Sequence, residues 1–298
     1  MSTESSIEKY PRGFSIIGTG RLGSALALRL HKKGYVVRSL FNRTLSSCEK
    51  LADQAGTPLI GTFPKQLDDL GDLVFLCLPD DILPDFARKL AERLPADNSR
   101  AWIHTSGALP AEVLQPLGTA DSPLASFHPV QTFTQHNLES AFDHCFVAIQ
   151  GDEALCKNLK QVVRAMDARP LIVNIQQKIA IHLAAVFVCN YIVPLFAASQ
   201  QVLRDNEVEV RSGELFGPIV TQTIEGLFHH PAADVLTGPV VRGDVGTIEQ
   251  HLNILKKSPE WDRIYRELGR VTLRLARNME GRNDAFDSLL EEKFDNPG

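Results

Sequence analysis

Between residues 14 and 175 the sequence alternates short apolar runs with amphipathic stretches, and that alternation most constrains the fold. Strand-like runs lie at 14–17, 35–41, 72–78, 101–105, 124–127, 145–149 and 171–175. The run 72–78 is apolar almost throughout, as in a strand buried on both faces. The intervening segments 22–30, 46–55, 82–94 and 153–166 carry helical patterns. Ser46, with Glu49 three residues on, predicts a capping box, and Pro84 fits a first helical turn. Strands that alternate with helices predict a doubly wound, mostly parallel sheet. After residue 175 the strand signal stops. A long helix is predicted over 178–204, kinked at Pro194. Further helices are predicted over 208–228, 246–257 and 260–278, with a loosely ordered tail to Gly298. The expected architecture is an α/β domain over 1–176 and an all-α domain over 177–298. A length of 298 residues suits two domains of roughly 150 each.

Between the first strand and first helix stands Gly18-Thr19-Gly20-Arg21-Leu22-Gly23. In this setting the first glycine makes a tight turn, the second admits a pyrophosphate to the backbone, and the third lets helix pack on strand. The phosphates would meet the free N–H groups and positive dipole of the helix N-terminus. These features predict a Rossmann-type dinucleotide-binding domain. At the end of the second strand an NAD-binding chain usually carries Asp or Glu. Here Asn42 is followed by Arg43 and Thr44. Arg43 can clamp a 2′-phosphate and Thr44 can donate to it, so NADP(H) is expected in preference to NAD(H). The plainer reading makes Arg43 an exposed first-turn residue and Thr44 a helix cap. Leu78 and Pro79 end one strand and Thr105 and Ser106 follow another, so all four are candidates to line the nicotinamide end. Ordinary turn chemistry is the other reading of Ser106.

Composition narrows the functional classes. A net charge of −5 gives no general attraction to nucleic acid or to an anionic membrane. Five cysteines, with no Cys-x-x-Cys, fit neither a disulfide framework nor a zinc knuckle, and suit a reducing, cytoplasmic setting. The N-terminal residues lack the apolar stretch of a signal peptide. Residues 179–198 approach the length and apolarity of a membrane span. They include His182, Asn190 and Pro194, which favours a buried helix. No His-x-x-x-His or His-x-His pair offers a metal site.

The glycine motif, Asn42-Arg43-Thr44, the His104-to-Gly107 segment, 127–133, 182–190 and 236–244 together resemble proteins that join a Rossmann-like domain to a DUF2520 domain. More broadly the chain resembles the 6-phosphogluconate dehydrogenase-like NADP-dependent reductases, among them pyrroline-5-carboxylate reductase and ketopantoate reductase. That resemblance implies NADP(H), hydride transfer to or from a small carbonyl or imine, and a homodimer built on the helical domains. The unusually apolar stretch 179–198 points to the same dimer. Matching the ketopantoate reductase pattern puts His182 at its catalytic lysine, Val186 at its asparagine, and Asn190 one turn beyond. Spaced by four, these three share one face of an α-helix. His182 is a candidate proton donor and Asn190 a candidate substrate-positioning residue; both can equally be buried polar residues satisfied by neighbours. Lys178 is an alternative donor, or a residue that solvates the helix start. His104 and His128 lie at strand ends where a small-molecule substrate would be held. Arg242 is placed to bind a carboxylate, and Asp244 to orient Arg242 or to cap the next helix. A non-catalytic NADP(H)-binding regulator is the alternative function.

Overall fold

The computed structural model describes residues 13–96, 99–120, 122–277, 279 and 284–295. It divides into two compact units, residues 1–187 and 188–298.

The first unit contains β1 (Phe14–Ile17), α1 (Arg21–Lys32), β2 (Val37–Phe41), α2 (Ser46–Ala55), β3 (Leu59–Gly61), β4 (Leu73–Leu76), α3 (Leu83–Ala91), β5 (Ala101–His104), β6 (Leu124–Pro129), β7 (Phe146–Gly151), α4 (Glu153–Ala165), β8 (Arg169–Ile172) and α5 (Ile175–Ala185). The sheet order is β3-β2-β1-β4-β5-β6-β7-β8. The first six strands of that order run parallel, β7 is antiparallel to β6, and β8 is parallel to β7. The expected mostly parallel, doubly wound sheet is therefore present. Sequence patterning gave no sign of β3, which is only three residues long.

Alternate residues of the central strands supply two cores. Phe14, Phe75, Ile103 and Phe127 face one side, with Leu26 and Leu30 of α1 and Leu159 of α4. Val74, Leu76 and Trp102 face the other, with Leu83 and Leu90 of α3 and Leu114 of the 3-10 segment Ala111–Leu117. Burial on both faces accounts for the unbroken apolar run in β4. The rings of Phe14 and Phe75 stack at 5.9 Å, and Phe75 meets Phe127 edge-on at 5.3 Å.

Two local expectations are corrected. Ser46 forms no capping box: α2 has Leu45 at its N-cap and no side-chain cap. The chain already turns at Thr44, whose carbonyl accepts from the Ser47 N–H, so Ser46 lies inside the helix. The second concerns Pro194. The irregularity of the run lies upstream of the proline, as a π-helical segment Val186–Asn190 just before the helix that contains it. Pro194 has no N–H for the Asn190 carbonyl, and its ring crowds that carbonyl; the wider π turn lies where this conflict arises.

The second unit is helical: α6 (Ile192–Asp205), α7 (Ser212–His229), α8 (Ala232–Val235), α9 (Pro239–Arg242), α10 (Val245–Leu255), α11 (Pro259–Ala276) and α12 (Asp284–Asp295). Within the tail expected to be loosely ordered, the described residues 284–295 form α12, which buries Leu290 and Phe294, four residues apart, with Ile248 and Leu273. A Cβ on Gly269 of α11 would stand 2.4 Å from Cε1 of Phe294, so this glycine makes the ring's seat. Arg270 donates to the Phe294 carbonyl at 2.8 Å and pairs with Asp295 at 2.7 Å, which satisfies the C-terminal end of α12.

The stretch 179–198 is not buried. The helical run Ile175–Asp205 is long and apolar enough to cross a membrane, and no residue of its most apolar window is buried within the chain. Phe187, Val188 and Val193 are 62%, 77% and 66% exposed. The other described helices of this single chain leave that face uncovered, so the burial expected from His182, Asn190 and Pro194 is not met within the chain.

Candidate active site

The three glycines of the motif have distinct surroundings. Gly18 follows β1 at φ +99°, a conformation that favours glycine, and its N–H donates to the Phe41 carbonyl at 2.7 Å. A Cβ there would lie 2.3 Å from the Cys77 carbonyl oxygen, beside β4. A Cβ on Gly23 would lie 2.0 Å from the Gly18 carbonyl oxygen. Only Gly20 is open: a Cβ would meet nothing within 4 Å. It is the N-cap of α1, without a side-chain cap and without an acidic residue in the first turn. The open backbone and uncapped N–H groups suit the phosphates of a dinucleotide. They lie where β1 and β4 part, the topological switch point of the sheet.

Thr19 turns inward. Its hydroxyl donates to the Ser47 carbonyl at 3.3 Å and ties the glycine loop to α2. Arg21 is exposed and donates to the Phe133 carbonyl at 3.3 Å, and Leu22 is half-buried beside it. Asn42 is half-buried, with its N–H on the Gly61 carbonyl at 3.1 Å, while Arg43 and Thr44 are exposed after β2. Thr44 forms no side-chain cap on α2. Leu78 approaches Gly18, where a Cβ would meet its Cδ2 at 3.1 Å, and Pro79 is exposed. The Cys77 thiol is pushed up to about 12 by burial, partly offset by its hydrogen bond with Thr105, and so stays protonated.

Beyond β5 the chain forms a tightly bonded loop. The Ser106 hydroxyl accepts from the N–H groups of Ala108 and Leu109 at 3.1 and 2.9 Å, so this side chain performs turn chemistry. His104 is fully buried. Its Nδ1 accepts from the Ser106 N–H at 3.1 Å, and its Nε2 faces the Pro110 carbonyl at 3.1 Å. A carbonyl only accepts, so the proton is on Nε2 and neither nitrogen remains for a ligand. The expected substrate-binding role of His104 is thereby replaced by a structural one.

His128, on β6, points its Nδ1 at the Thr105 carbonyl, 3.2 Å away. That bond puts the proton on Nδ1 and leaves Nε2 as the free nitrogen of the neutral ring. Burial lowers its pKa, and the charges of His182 and Lys178 lower it further; the Thr105 bond and Asp80 oppose this.

His182 and Lys178 come from α5. Its N-terminus has a reciprocal capping box: the Asn174 side chain accepts from the Gln177 N–H, and the Gln177 side chain from the Asn174 N–H, both at 2.9 Å. Lys178 and His182 are four apart and share a face. The His182 ring meets that of His128 edge-on, centroids 5.4 Å apart. Both border Gly107, where a Cβ would lie 2.6 Å from His182 Nδ1 and 2.9 Å from His128 Nε2.

Lys178 does not solvate the helix start. It is 0% exposed, and its ammonium donates to the carbonyls of Ser106 and Leu109 and to the Ser126 hydroxyl at 2.7 Å. Burial pushes its pKa down to about 8, against the opposing charges of Asp80 and Glu112. No sequence signal marked Ser126, which sits inside a strand of otherwise apolar character.

The remaining candidates lie in the second unit. Asn190 ends the π-helical segment and is exposed. The π turn breaks the four-residue register, so the expected α-helical stripe from His182 through Val186 to Asn190 does not form. Asp244 caps α10, accepting from the Thr247 N–H at 3.1 Å and the Thr247 hydroxyl at 2.7 Å. Those bonds, foremost the hydroxyl's, hold its carboxyl below the usual range. The exposed Arg242 guanidinium is 3.9 Å from the Asp244 carboxylate. Among the described residues no group of three or more His, Cys, Asp or Glu is placed to hold a metal ion.

Residues 1–129 match the Rossmann-like domain family, and residues 145–272 match DUF2520, a domain of unknown function. The chain is a Rossmann-like plus DUF2520 protein. No curated protein is similar enough in sequence to count as a match. Among solved structures, a provisionally named NADP oxidoreductase from Bacteroides fragilis is 23% identical, with TM-score 0.75, over 88% of this chain and 97% of its own. Protein TM1727 from Thermotoga maritima is 22% identical, with TM-score 0.67, over 89% and 98%. A reductive aminase from Aspergillus terreus, in complex with NADPH and ethyl-5-oxohexanoate, is 16% identical, with TM-score 0.65, over 94% and 99%. At these identities the likeness establishes the shared fold of this Rossmann-like plus DUF2520 chain.

The buried, neutral His104 gives this site a pH signature. Burial, followed by the charge of Lys178, lowers its pKa from 6.5 to about 3. Between those values the unfolded chain takes up a proton that the folded chain refuses, so stability is lost as pH falls through that window. Urea unfolding of the wild type and His104→Asn should show the wild type's advantage shrinking from pH 6.5 towards pH 3; a constant difference would refute a neutral buried His104.

Proposed function

We propose that this protein is an NADP(H)-dependent oxidoreductase that reduces a small carbonyl or imine, with His182 supplying the proton. The observation that carries the reading is the convergence of His128 and His182 on Gly107, on the same sheet edge as the glycine loop. The reductive aminase with the same fold was solved with NADPH and a keto ester, which supports the substrate class.

Bound NADPH would supply a hydride to the electrophilic carbon. The C=O or C=N π electrons then move to oxygen or nitrogen, which takes a proton from the His182 imidazolium. An alcohol or amine and a neutral imidazole result. His182 is only half-buried, so it can exchange that proton with solvent, while the His128 ring holds it from one side. Asn190 and Arg242 are the further candidates for orienting a substrate, Arg242 through a carboxylate. A non-catalytic NADP(H)-binding regulator is the second reading. It is favoured by Val186, an apolar residue where ketopantoate reductases carry asparagine.

We also propose a homodimer, because the run Ile175–Asp205 has its apolar face uncovered. Sedimentation at micromolar concentration should give twice the chain mass of 32.9 kDa; a monomer would remove this proposal.

Cofactor choice is tested by nicotinamide fluorescence titration. NADPH should bind more tightly than NADH, and Arg43→Ala should weaken NADPH alone, by about 10- to 100-fold for a lost charge-assisted contact. Equal affinities in the wild type would refute the 2′-phosphate role of Arg43. Catalysis is tested with NADPH and a panel of ketones, 2-oxo acids and cyclic imines. His182→Ala should lower turnover by about 10²- to 10⁴-fold with NADPH affinity retained. Undiminished turnover would exclude His182, and wild-type protein that never oxidises NADPH would favour the regulator.

A further inference from the structure

We propose that Lys178 is a positioning residue whose buried ammonium pins the 106–109 loop and so holds His128 and His182 edge to face beside Gly107. The effect on turnover rests on the reductase reading above; the effect on the loop does not.

An ammonium has three N–H donors and no acceptor. Those of Lys178 point at three protein oxygens: the Ser106 carbonyl at 3.4 Å, the Leu109 carbonyl, and the Ser126 hydroxyl at 2.7 Å. The residue has no exposed surface through which a substrate could take a proton. Deprotonation would turn a lone pair towards the oxygen cage. This is the geometry of a group that holds its surroundings.

What it holds is well defined. Ser126 Oγ, on β6, donates onward to the Ser106 carbonyl at 3.2 Å. The Ser106 N–H is held by His104, and the Ser106 hydroxyl receives the N–H groups of Ala108 and Leu109. The loop between these bonds contains Gly107, against which both imidazoles lie. Lys178 and His182 belong to one helix, a turn apart. The bond from Lys178 to the loop therefore sets the distance from α5 to Gly107, and with it the place of the His182 ring.

The ammonium also acts through its charge. The titratable groups around it are Asp80 after β4, Glu112 in the 3-10 segment, His104, His128 and His182. Lys178 opposes protonation of His104 and His128, while the two carboxylates favour its own charged form. Its removal should loosen the loop and make His128 easier to protonate.

The full-length protein is compared as wild type, Lys178→Met and Ser126→Ala, with labelled histidine and backbone amides followed by NMR. In Lys178→Met the amides of Ala108 and Leu109 should exchange about tenfold faster or more, and His128 should titrate at higher pH. Ser126→Ala keeps the charge and loses one acceptor, so it should speed amide exchange with a smaller change at His128. Unchanged exchange and unchanged His128 titration in Lys178→Met would overturn the proposal. If that variant does not fold, unchanged exchange in Ser126→Ala overturns it. Turnover adds an independent arm. Lys178→Met should retain NADPH-dependent activity that adding His182→Ala abolishes. Abolition by Lys178→Met alone, with His182→Ala fully active, would make Lys178 the donor. If the wild type reduces nothing in the panel, the reductase reading fails, and the NMR arm still decides the role of Lys178.

Discussion

A charged ammonium with no access to water must be solvated by the protein, and much of the C-terminal sheet edge is arranged to do this for Lys178. Two carbonyls and one hydroxyl form its shell. Those three oxygens come from the β5 loop and from β6, so one side chain of α5 ties together three segments distant in sequence. The neighbouring histidines fall into place around this arrangement. His104 is neutral, spent on both nitrogens and sealed in. His128 is fixed by one nitrogen and free at the other. The charge of Lys178 is thus held by protein oxygens alone, and His128 keeps its Nε2 beside Gly107.

The glycine loop solves a different problem. Gly18 and Gly23 are required because backbone atoms already stand where their side chains would be, whereas Gly20 leaves an open face. Substitution at the outer pair would disturb the β1–β4 junction itself. At Gly20 it would obstruct what approaches from outside. Thr19 donates its hydroxyl to the Ser47 carbonyl and so ties the loop to the start of α2. The two stretches expected to meet opposite ends of a dinucleotide-phosphate are therefore linked mechanically.

The parts of this molecule that were legible in its sequence are those governed by periodicity. The alternation through residue 175 led to the doubly wound sheet, and the 3.6-residue pattern led to the later helices. What the sequence concealed has physical causes. Leu290 and Phe294 anchor α12 through a seat made by Gly269, a tertiary complementarity that no short window reveals. Ser46 looked like a cap because the spacing to Glu49 was right, yet the turn closed one residue earlier. Lys178 looked like a surface residue because lysine usually is one; its burial depends on oxygens contributed from 52 to 72 residues away. The stripe from His182 to Asn190 assumed a uniform helix, and the π turn ahead of Pro194 removed that uniformity. The turn and packing roles read for Gly18 and Gly23, by contrast, match their surroundings, since both follow from the backbone alone.

The division between the two units falls at Phe187, inside that π segment and partway along a continuous helical run. This has a consequence for how the chain is made. Domains tend to fold as units, N-terminal first, while the ribosome is still adding residues. The oxygens that bind Lys178 and join α5 to the sheet all precede α6 in the chain. The nascent chain at that stage ends in a docked helix with a ragged apolar tip. The rest of the helix then grows from a template already fixed in place, and the costly nucleation step need not be repeated.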